Sequence, residues 1–259
     1  MIVNRSFKII ILGSGTCVPS LKRSSCSVLI ETGNKRLLFD SGPGTMRRLL
    51  ETGVEIFDID FIFYSHFHPD HTGELASFLF SSKYSGGTRK GPLNVIGGEG
   101  FNGFYNGLKN VYGKWVEFDD RMLNIIELSC EKTETLEFDD FKVESIQVNH
   151  NDESLAYRIT GPGGKSAVYS GDTGFSNNLA LLSKDTDILI CESSLPDNSE
   201  TAGHLTPSLA GKIASQANVK KLVLTHFYPE CDKVDIKSEC QKTYNGEIVL
   251  AEDLMEIFP

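Results

Sequence analysis

Four side chains that can bind a metal ion lie within six consecutive positions of this chain. The segment Ser65-His66-Phe67-His68-Pro69-Asp70-His71 directly follows an apolar run, Asp60–Tyr64, that is typical of a buried strand. Neutral imidazole is the commonest metal ligand in proteins, and carboxylates complete such sites. Two histidines at positions i and i+2 of an extended backbone can point the same way, while Asp70 and His71 can face a second position. The spacing predicts two ligands for each of two metals, a set that suits a metal-dependent hydrolase.

The other three histidines occur singly and far downstream. His150 follows a predicted strand, Phe141–Val148, and His226 follows another, Lys221–Thr225. Asp172 likewise follows the predicted strand Ser166–Ser170. One such residue alone would more often be structural.

Composition restricts the class of protein. The 259 residues have a formal net charge of −10, with 40% hydrophobic and 23% charged residues, as expected for one globular domain over residues 1–259. An acidic chain is a poor candidate for a broad nucleic-acid surface, which needs clustered Lys and Arg. Four short basic pairs are expected to be solvated surface charges; they are Lys22-Arg23, Lys35-Arg36, Arg47-Arg48 and Arg89-Lys90.

The cysteines and the apolar runs indicate a compartment. None of the six cysteines forms a Cys-x-x-Cys pair, so the sequence has no zinc-ribbon or thioredoxin-like motif. The first apolar run, Lys8–Leu12, is too short for the core of a signal peptide. No stretch approaches the roughly 20 apolar residues of a membrane span. We therefore expect a reduced cytoplasmic protein with free thiols and no membrane association.

The order of elements predicts an α/β fold with two mixed sheets and helices on the outer faces. Strands are predicted at Lys8–Leu12, Ser27–Glu31, Arg36–Phe39, Asp60–Tyr64, Leu93–Ile96, Asn124–Leu128, Glu134–Phe138, Phe141–Val148, Ser166–Ser170, Asp187–Cys191, Lys221–Thr225 and Glu247–Leu250. Helices are predicted after Gly44, around Leu75–Leu79, and from Pro207 to about Ala217. A fourth carries an aromatic stripe that we expect to face the core, formed by Phe101, Phe104, Tyr105, Leu108, Val111 and Tyr112.

His66-x-His68-x-Asp70-His71 resembles the signature of the metallo-β-lactamase superfamily. Further segments match the family's other motifs in order: Asp40-Ser41-Gly42, His150, Gly171-Asp172-Thr173 and Thr225-His226-Phe227. The resemblance implies a four-layer αββα sandwich. It also implies that His66, His68 and His150 hold a first metal, that Asp70, His71 and His226 hold a second, and that Asp172 bridges them. Asp40 would orient the metal loops. The expected cofactor is two divalent ions, zinc first, with manganese or iron as alternatives.

Two segments are similar to the ribonuclease Z and phosphodiesterase branch of that family. The opening Leu12–Ser20 resembles the branch's first loop, and Cys191-Glu192-Ser193-Ser194 stands where the branch usually carries His-Glu-Ala-Thr. His204-Leu205-Thr206-Pro207 resembles the branch's non-ligand histidine. That implies a catalytic role for His204, as proton donor or charge stabiliser at the leaving oxygen, beside a metal-held hydroxide. Asp70 is the second expected catalytic residue, and Glu192 could orient His204.

One departure from the branch concerns the substrate. Ribonuclease Z commonly inserts a long arm that grips tRNA between the third-motif histidine and the bridging aspartate. Here His150 and Asp172 are only 22 positions apart, with Gly161-Pro162-Gly163-Gly164 as a hairpin turn. The rim of the predicted cleft is also not consistently basic, since it offers Lys22 and Arg23 but also Glu74, Asp152 and Glu153. A small phosphodiester or another ester is therefore the favoured substrate.

The leading hypothesis is a dinuclear metal-dependent phosphodiesterase. The alternatives are a ribonuclease Z-type tRNA 3′-end endonuclease, a di-iron redox protein of the same fold, and a non-catalytic scaffold. RNA is less favoured as a partner than a small ester, no membrane partner is expected, and a homodimer is compatible with the sequence.

Overall fold

Two seven-stranded mixed sheets form the centre of the computed structural model, which describes residues 7–84, 87, 89, 91–119, 121–199 and 201–259. The strands are β1 Lys8–Gly13, β2 Ser27–Thr32, β3 Lys35–Phe39, β4 Phe61–Phe63, β5 Leu93–Gly97, β6 Leu123–Glu127, β7 Glu134–Glu137, β8 Lys142–Gln147, β9 Leu155–Thr160, β10 Ser166–Tyr169, β11 Ile188–Glu192, β12 Lys221–Thr225, β13 Glu247–Leu250 and β14 Met255–Ile257. The first sheet has the order β14-β1-β2-β3-β4-β5-β6, and the second has the order β13-β12-β11-β10-β9-β8-β7.

Seven α-helices are found in the described residues, and those that pack on the sheets cover the outer faces. They are α1 Thr45–Glu51, α2 Pro69–Thr72, α3 Leu75–Ser81, α4 Phe101–Tyr112, α5 Asn177–Leu182, α6 Pro207–Gln216 and α7 Ile236–Cys240. Helices α1 and α4 pack against the first sheet, whereas α5, α6 and α7 pack against the second. The four-layer αββα arrangement predicted from the sequence is confirmed.

Both faces of the first sheet are buried, and the side chains of its strands point alternately into two different cores. In β1, Ile9 and Ile11 belong to the core between the two sheets, whereas Ile10 and Leu12 pack with the helical layer. Successive side chains of a strand point to opposite faces, so an uninterrupted apolar run serves a strand that is covered on both sides. The short apolar run of β1 is therefore a central strand of a layered fold.

Aromatic rings fill the space between the sheets close to one edge. Phe39 and Phe63 stack with ring centroids 5.0 Å apart, and Tyr157 and Tyr169 from the second sheet pack against Phe39 at 5.8 Å. The tyrosine hydroxyls reach polar groups at the sheet edge: Tyr157 donates to the carbonyl of Tyr64, and Tyr169 donates to Asp40. This layer fixes the two sheets relative to one another just below the polar loops.

Most predicted strands are present within a residue or two of their expected ends, and the Gly33-Asn34 hairpin joins β2 to β3 as expected. Five strands and helices were not predicted from the sequence: β9, β14, α2, α5 and α7. The prediction for the aromatic stripe of α4 was partly wrong. Phe101 and Tyr105 are buried, but Val111 and Tyr112 are 74% and 48% exposed, because the last turn of α4 extends beyond the core.

Three of the four basic pairs lie at the surface with acidic partners, as expected, but Arg89 does not: it is partly buried and donates to the backbone carbonyls of Ile56 and Ile59, so the expectation was wrong for this residue. Lys35 pairs with Asp60 at 2.8 Å and Arg36 with Glu31 at 2.8 Å, while Arg47 and Arg48 share Glu51. Of the pair Arg89-Lys90, Lys90 lies outside the described residues. Lys35, Arg36, Arg47 and Arg48 are thus each paired with a carboxylate.

In the described ranges, the structure contains no helix that is both long and apolar enough to cross a membrane.

The carboxyl ends of the central strands meet at one edge of the sandwich. Strands β3, β4 and β5 run parallel in the first sheet, and β10, β11 and β12 run parallel in the second. Strand β8 has the same direction as β10, because each is antiparallel to β9. The loops that follow β3, β4, β8, β10, β11 and β12 therefore share this edge, and these loops carry the predicted site residues.

Candidate active site

Asp40 anchors the loop that carries the histidine motif. It follows β3 with φ of 58°, is fully buried, and accepts hydrogen bonds from the backbone and the hydroxyl of Ser65, both at 2.8 Å. Its Oδ2 also accepts from the hydroxyl of Tyr169 at 2.6 Å and lies 2.7 Å from Nδ1 of His71. When the proton of His71 is on Nδ1, its Nε2 atom carries a free lone pair that can bind a metal ion. Asp40 thus orients His71, as the sequence analysis predicted.

His66, His68 and His150 converge at the same edge. The Nε2 atom of His66 is buried, and Nδ1 of His68 lies 3.3 Å from Nε2 of His150. The outer nitrogens have polar neighbours: Nδ1 of His150 donates to the carbonyl of Gly203 at 2.8 Å, and Nε2 of His68 lies 3.3 Å from the amide of Asn151. These contacts direct one nitrogen of each ring into the shared space.

Asp70, His71 and His226 form a second group beside the first. The Nε2 atoms of His71 and His226 are 3.3 Å apart, and Oδ2 of Asp70 lies 3.9 and 3.7 Å from them. His226 has φ of 61° and is buried, and its Nδ1 lies 2.9 Å from the hydroxyl of Ser194. The left-handed backbone at His226 lets its ring turn back towards the sheet edge.

Asp172 lies between the two groups and faces both. Its Oδ1 is 3.3 Å from Nε2 of both His71 and His226, and its Oδ2 is 3.8 Å from Nε2 of His66. The preceding Gly171 has φ of 57°, and a Cβ atom there would lie 2.4 Å from that of Ser65. A glycine is thus required where the β10 loop crosses the histidine loop.

Electrostatics favour metal-binding protonation states at two of these positions. Burial, reinforced by the charge of His71, holds the pKa of His66 well below its usual value, so the imidazole is neutral. Burial raises the pKa of Asp172, but the charges of His226 and His71 outweigh it and hold that pKa well below its usual value. A neutral imidazole and an ionised carboxylate are the forms that bind metals.

The donor set passes a simple test for a divalent cation. Buried polar atoms almost always have a hydrogen-bond partner, yet Nε2 of His66 and Oδ1 of Asp172 have none among the described residues. Candidate ligand atoms lie within 4.8 Å of one another in each of three sets: His66, His68, His150 and Asp172; Asp70, His71 and His226; and Asp172, His204 and His226. Nitrogen and carboxylate donors at such distances fit zinc and similar ions.

His204 lies against both groups and is held by a buried glutamate. Its ring stacks on that of His226 at 5.9 Å and lies 5.0 Å from that of His150. Its Nδ1 lies 2.9 Å from Oε1 of Glu192, which is 1% exposed. Burial lowers the pKa of His204, but the hydrogen bond to Glu192 and the charge of Glu192 outweigh it, so that the pKa is raised. Glu192 is thus the orienting partner suggested from the sequence.

Sequence reasoning missed three polar residues that complete the site. The Ser194 hydroxyl contacts Glu192 at 2.6 Å, His204 at 3.2 Å and His226 at 2.9 Å, which links both histidines to one carboxylate. Asn151 contacts His68, and Tyr228 packs against His204 and His226. Ser194 lies in the segment already singled out next to Glu192, whereas nothing in the sequence distinguishes Asn151 or Tyr228 from loop residues.

Comparisons with known proteins agree with this arrangement. The model of the beta-lactamase superfamily domain matches residues 35–227. The ribonuclease Z of Picrophilus torridus is 27% identical over 97% of this chain and 95% of its own length, and that of Ligilactobacillus salivarius is 30% identical over 83% and 84%. The crystal structure of the metallo-beta-lactamase fold protein YhfI from Bacillus subtilis superimposes with a TM-score of 0.82, at 22% identity, over 97% of this chain and 99% of that one.

The relatives are matched over most of their length, and the family model covers every predicted ligand from His66 to His226. The chain therefore belongs to the metallo-β-lactamase superfamily, in its ribonuclease Z-like branch, and is a metal-dependent hydrolase of ester bonds.

Proposed function

We propose that this protein is a dinuclear metal-dependent phosphodiesterase that acts on small substrates. The observation that carries the proposal is the position of Asp172, whose two oxygens face separate groups of histidines, with His204 beside both. A shared carboxylate between two ligand groups is what a site for two adjacent ions needs. The hydrogen-bonded pair of His204 and Glu192 adds a proton donor that is not required for either group.

The two ions would be held as the family resemblance implies. His66, His68 and His150 would bind the first ion and Asp70, His71 and His226 the second, with Asp172 on both. Zinc suits this donor set, and manganese or iron accepts similar ones. When bound, such ions supply an activated water and stabilise the charge on the phosphoryl oxygens.

Asp70 would position the attacking water and His204 would protonate the leaving oxygen, while the proton lost by the water passes to solvent in the cleft. Burial raises the pKa of Asp70, but the hydrogen bond from His226 and the charge of His71 lower it overall, so the carboxylate can accept a hydrogen bond from the attacking water. His204 would donate its Nε2 proton to the leaving oxygen, while Glu192 keeps Nδ1 protonated and the ring in place. Water from the open cleft then returns the proton to His204.

The curated relatives are named ribonuclease Z, so tRNA processing is the second candidate. Against it, the chain between His150 and Asp172 is a plain hairpin of β9, a short 3-10 turn at Pro162–Gly164, and β10. The match to the Picrophilus torridus protein runs over 296 positions although this chain has 259 residues, so that relative carries segments absent here. A gripping arm has no counterpart in this hairpin.

The rim of the cleft also offers little to a long polyanion. Arg23 makes two hydrogen bonds to Asp232, at 2.7 and 2.8 Å, and Lys22 binds the same carboxylate at 3.1 Å. The two rim cations found in the sequence are thus engaged with one aspartate. Glu74, expected on the rim, accepts hydrogen bonds from the backbone of Gly44 and Met46 at 2.7 Å and caps α1, so its carboxylate is engaged within the fold.

A panel of chromogenic esters tests the proposal. The protein reconstituted with Zn²⁺ or Mn²⁺ is assayed with a phosphodiester and a phosphomonoester that share p-nitrophenol as the leaving group, and with a thioester whose released thiol is detected with a chromogenic thiol reagent. We expect measurable turnover of the diester and little of the other two. Preference for the thioester would reassign the substrate class. If none of the three esters were hydrolysed, the redox protein and the non-catalytic scaffold would become the favoured alternatives.

A further inference from the structure

Tyr228 is placed firmly at the mouth of the site. Its backbone N–H donates to the carbonyl of Ser194 at 3.1 Å, and its carbonyl accepts from Cys231 at 3.0 Å. Its ring stands nearly perpendicular to those of His226 and His204, with centroids 6.2 and 6.4 Å away and interplanar angles of 85° and 79°. A residue that contacts both histidines equally lies next to the place where their chemistry meets.

The hydroxyl of Tyr228 has a weak partner, unlike those of the buried tyrosines. Each buried tyrosine places its hydroxyl on an oxygen at 2.6–3.1 Å; these are Tyr64, Tyr105, Tyr157, Tyr169 and Tyr244. Among the described residues, the hydrogen-bond partner of the Tyr228 hydroxyl is the thiol of Cys17, which lies 3.6 Å away on the loop after β1. Because a thiol is a poor hydrogen-bond partner and a phenol is a strong donor at neutral pH, this hydroxyl can donate to a ligand.

We propose that the Tyr228 hydroxyl donates a hydrogen bond to a non-bridging phosphoryl oxygen of the substrate. This inference rests on the proposed function, in which the phosphoryl group lies between the second metal position at His226 and the proton donor His204. The ring of Tyr228 lies 6.2 and 6.4 Å from these two rings, which places it beside the group that would span them. Tyr228 is then a substrate-binding residue that selects for phosphate esters.

A neutral donor has a clear role in this particular cleft. Lys22 and Arg23, the cations on the loop that carries Cys17, are held by Asp232. A phosphoryl oxyanion would thus meet the phenol in place of a free guanidinium or ammonium group from this loop. Hydrogen bonds to charged groups contribute more than neutral ones, and losing one corresponds to a change of roughly tenfold to a hundredfold in affinity.

The test compares Tyr228→Phe with the wild type, both loaded with zinc. The substitution removes one hydroxyl and keeps the ring that packs on the histidines. We measure the affinity for inorganic phosphate by calorimetry, kcat and KM with bis(p-nitrophenyl) phosphate, metal content and Tm. Phosphate affinity and kcat/KM should each fall about tenfold or more, whereas metal content and Tm should stay at wild-type values.

Two further variants separate binding from packing. In Tyr105→Phe, a hydroxyl that bonds the carbonyl of Val116 on the outer helical layer is removed, and phosphate affinity should not change. In Cys17→Ala, the thiol partner is removed and the phenol remains, so phosphate affinity should be retained. If Cys17→Ala reproduced the loss seen in Tyr228→Phe, the effect would come from the contact between the two loops and the proposal would be overturned.

The remaining outcomes distinguish this inference from the proposed function. Unchanged phosphate affinity and unchanged kcat/KM in Tyr228→Phe would overturn the inference while leaving a phosphodiesterase intact. Loss of metal in that variant would also overturn it, because the hydroxyl would then support the metal groups. If the wild type bound phosphate but cleaved no diester, and Tyr228→Phe still weakened phosphate binding, the inference would stand and the proposed function would fall.

Discussion

At the scale of single residues, Asp172 is the side chain that connects the two groups of histidines. One oxygen faces His66, and the other lies 3.3 Å from both His71 and His226. Histidine ligands can be lost one at a time, each at the expense of one ion, whereas the shared carboxylate touches both positions.

Replacing Asp172 with Asn should therefore remove both metals and the activity together. Asn keeps the size of the side chain but loses the charge that balances two cations. The metal content of the reconstituted variant, measured by elemental analysis, should be well below one ion per chain, compared with close to two in the wild type. Asp152→Asn, on an exposed residue of the loop after β8, is the matched control and should keep both ions. A variant of Asp172 that retained both ions at full occupancy would show that it does not bridge them.

His204 poses a sharper question, because its ligand-type atom also lies within 4.8 Å of those of Asp172 and His226. Our assignment as proton donor predicts that His204→Ala keeps both metals and loses turnover by about 10²-fold or more. His226→Ala should lose metal as well as activity. Parallel metal analysis and kinetics of the two variants decide the matter. Metal loss in His204→Ala would make it a ligand, and an unchanged rate would make it structural.

At the scale of elements, the site depends on how closely two loops approach each other. The loop after β3 lies directly on the loop that carries the motif: the N–H of Ser41 donates to the carbonyl of His71 at 2.7 Å, and that of Glu74 donates to the carbonyl of Ser41 at 2.9 Å. A Cβ atom on Gly42 would lie 2.0 Å from the carbonyl oxygen of Asp70. The glycine is what permits this contact.

Gly42→Ala should force these loops apart. We expect the free energy of unfolding to fall by about 1–3 kcal/mol, as for other overpacked sites, and metal affinity to weaken because Asp70 and His71 move. Gly107→Ala is the matched control: Gly107 lies within α4, is exposed, and has open space around its Cβ position. Alanine there should stabilise the helix by roughly 0.5–1 kcal/mol without changing metal binding. Chemical denaturation with metal analysis checks both, and equal behaviour of the two variants would contradict the packing account.

Strands were predictable from the sequence where a run of apolar residues ended at a glycine or a polar residue. Strands such as β1 and β12 are apolar runs that end at Gly13 or just before His226, and the ligand residues follow directly. Strand β9 was missed because Arg158 interrupts its apolar residues after Leu155, Ala156 and Tyr157, so the segment is neither a continuous apolar run nor a full alternation. Strand β14 has three residues and exists because it pairs with β1, a partner some 240 positions earlier in the chain.

The residues of the site also fall into a group that could be predicted from the sequence and a group that could not. Residues that match a family motif, from His66 to His226, could be named from the sequence, as could His204. Their supports could not, because those contacts are tertiary. Ser194 joins Glu192 to two histidines, and Tyr169 reaches Asp40 from the other sheet. Short polar side chains of this kind carry no spacing signal until the strands have been placed.

At the scale of the whole molecule, charge and shape act together on substrate choice. The chain has a net charge of −10, and the hairpin of β9 and β10 occupies the place where a gripping arm would be inserted. A protein with few phosphate contacts binds RNA weakly, and its affinity falls steeply with salt.

Precursor tRNA should therefore be a poor substrate at physiological ionic strength, about 0.15 M, while small activated phosphodiesters are cleaved. Cleavage of a labelled precursor tRNA by the zinc-loaded protein is followed on gels over a range of salt concentrations, with a small chromogenic diester measured in the same buffers. Salt should affect the diester little. Efficient and site-specific cleavage of the precursor at about 0.15 M salt would instead favour the tRNA endonuclease.

The most direct test of the account is a titration of the metal-free protein with zinc, with hydrolysis of bis(p-nitrophenyl) phosphate measured at each addition. Because Asp172 lies between two ligand groups, and His204 would act on a phosphoryl group bound between them, we expect activity to reach its plateau when two ions per chain have bound. A plateau at one ion, or no hydrolysis with both ions bound, would contradict the central claim that this site is a dinuclear phosphodiesterase.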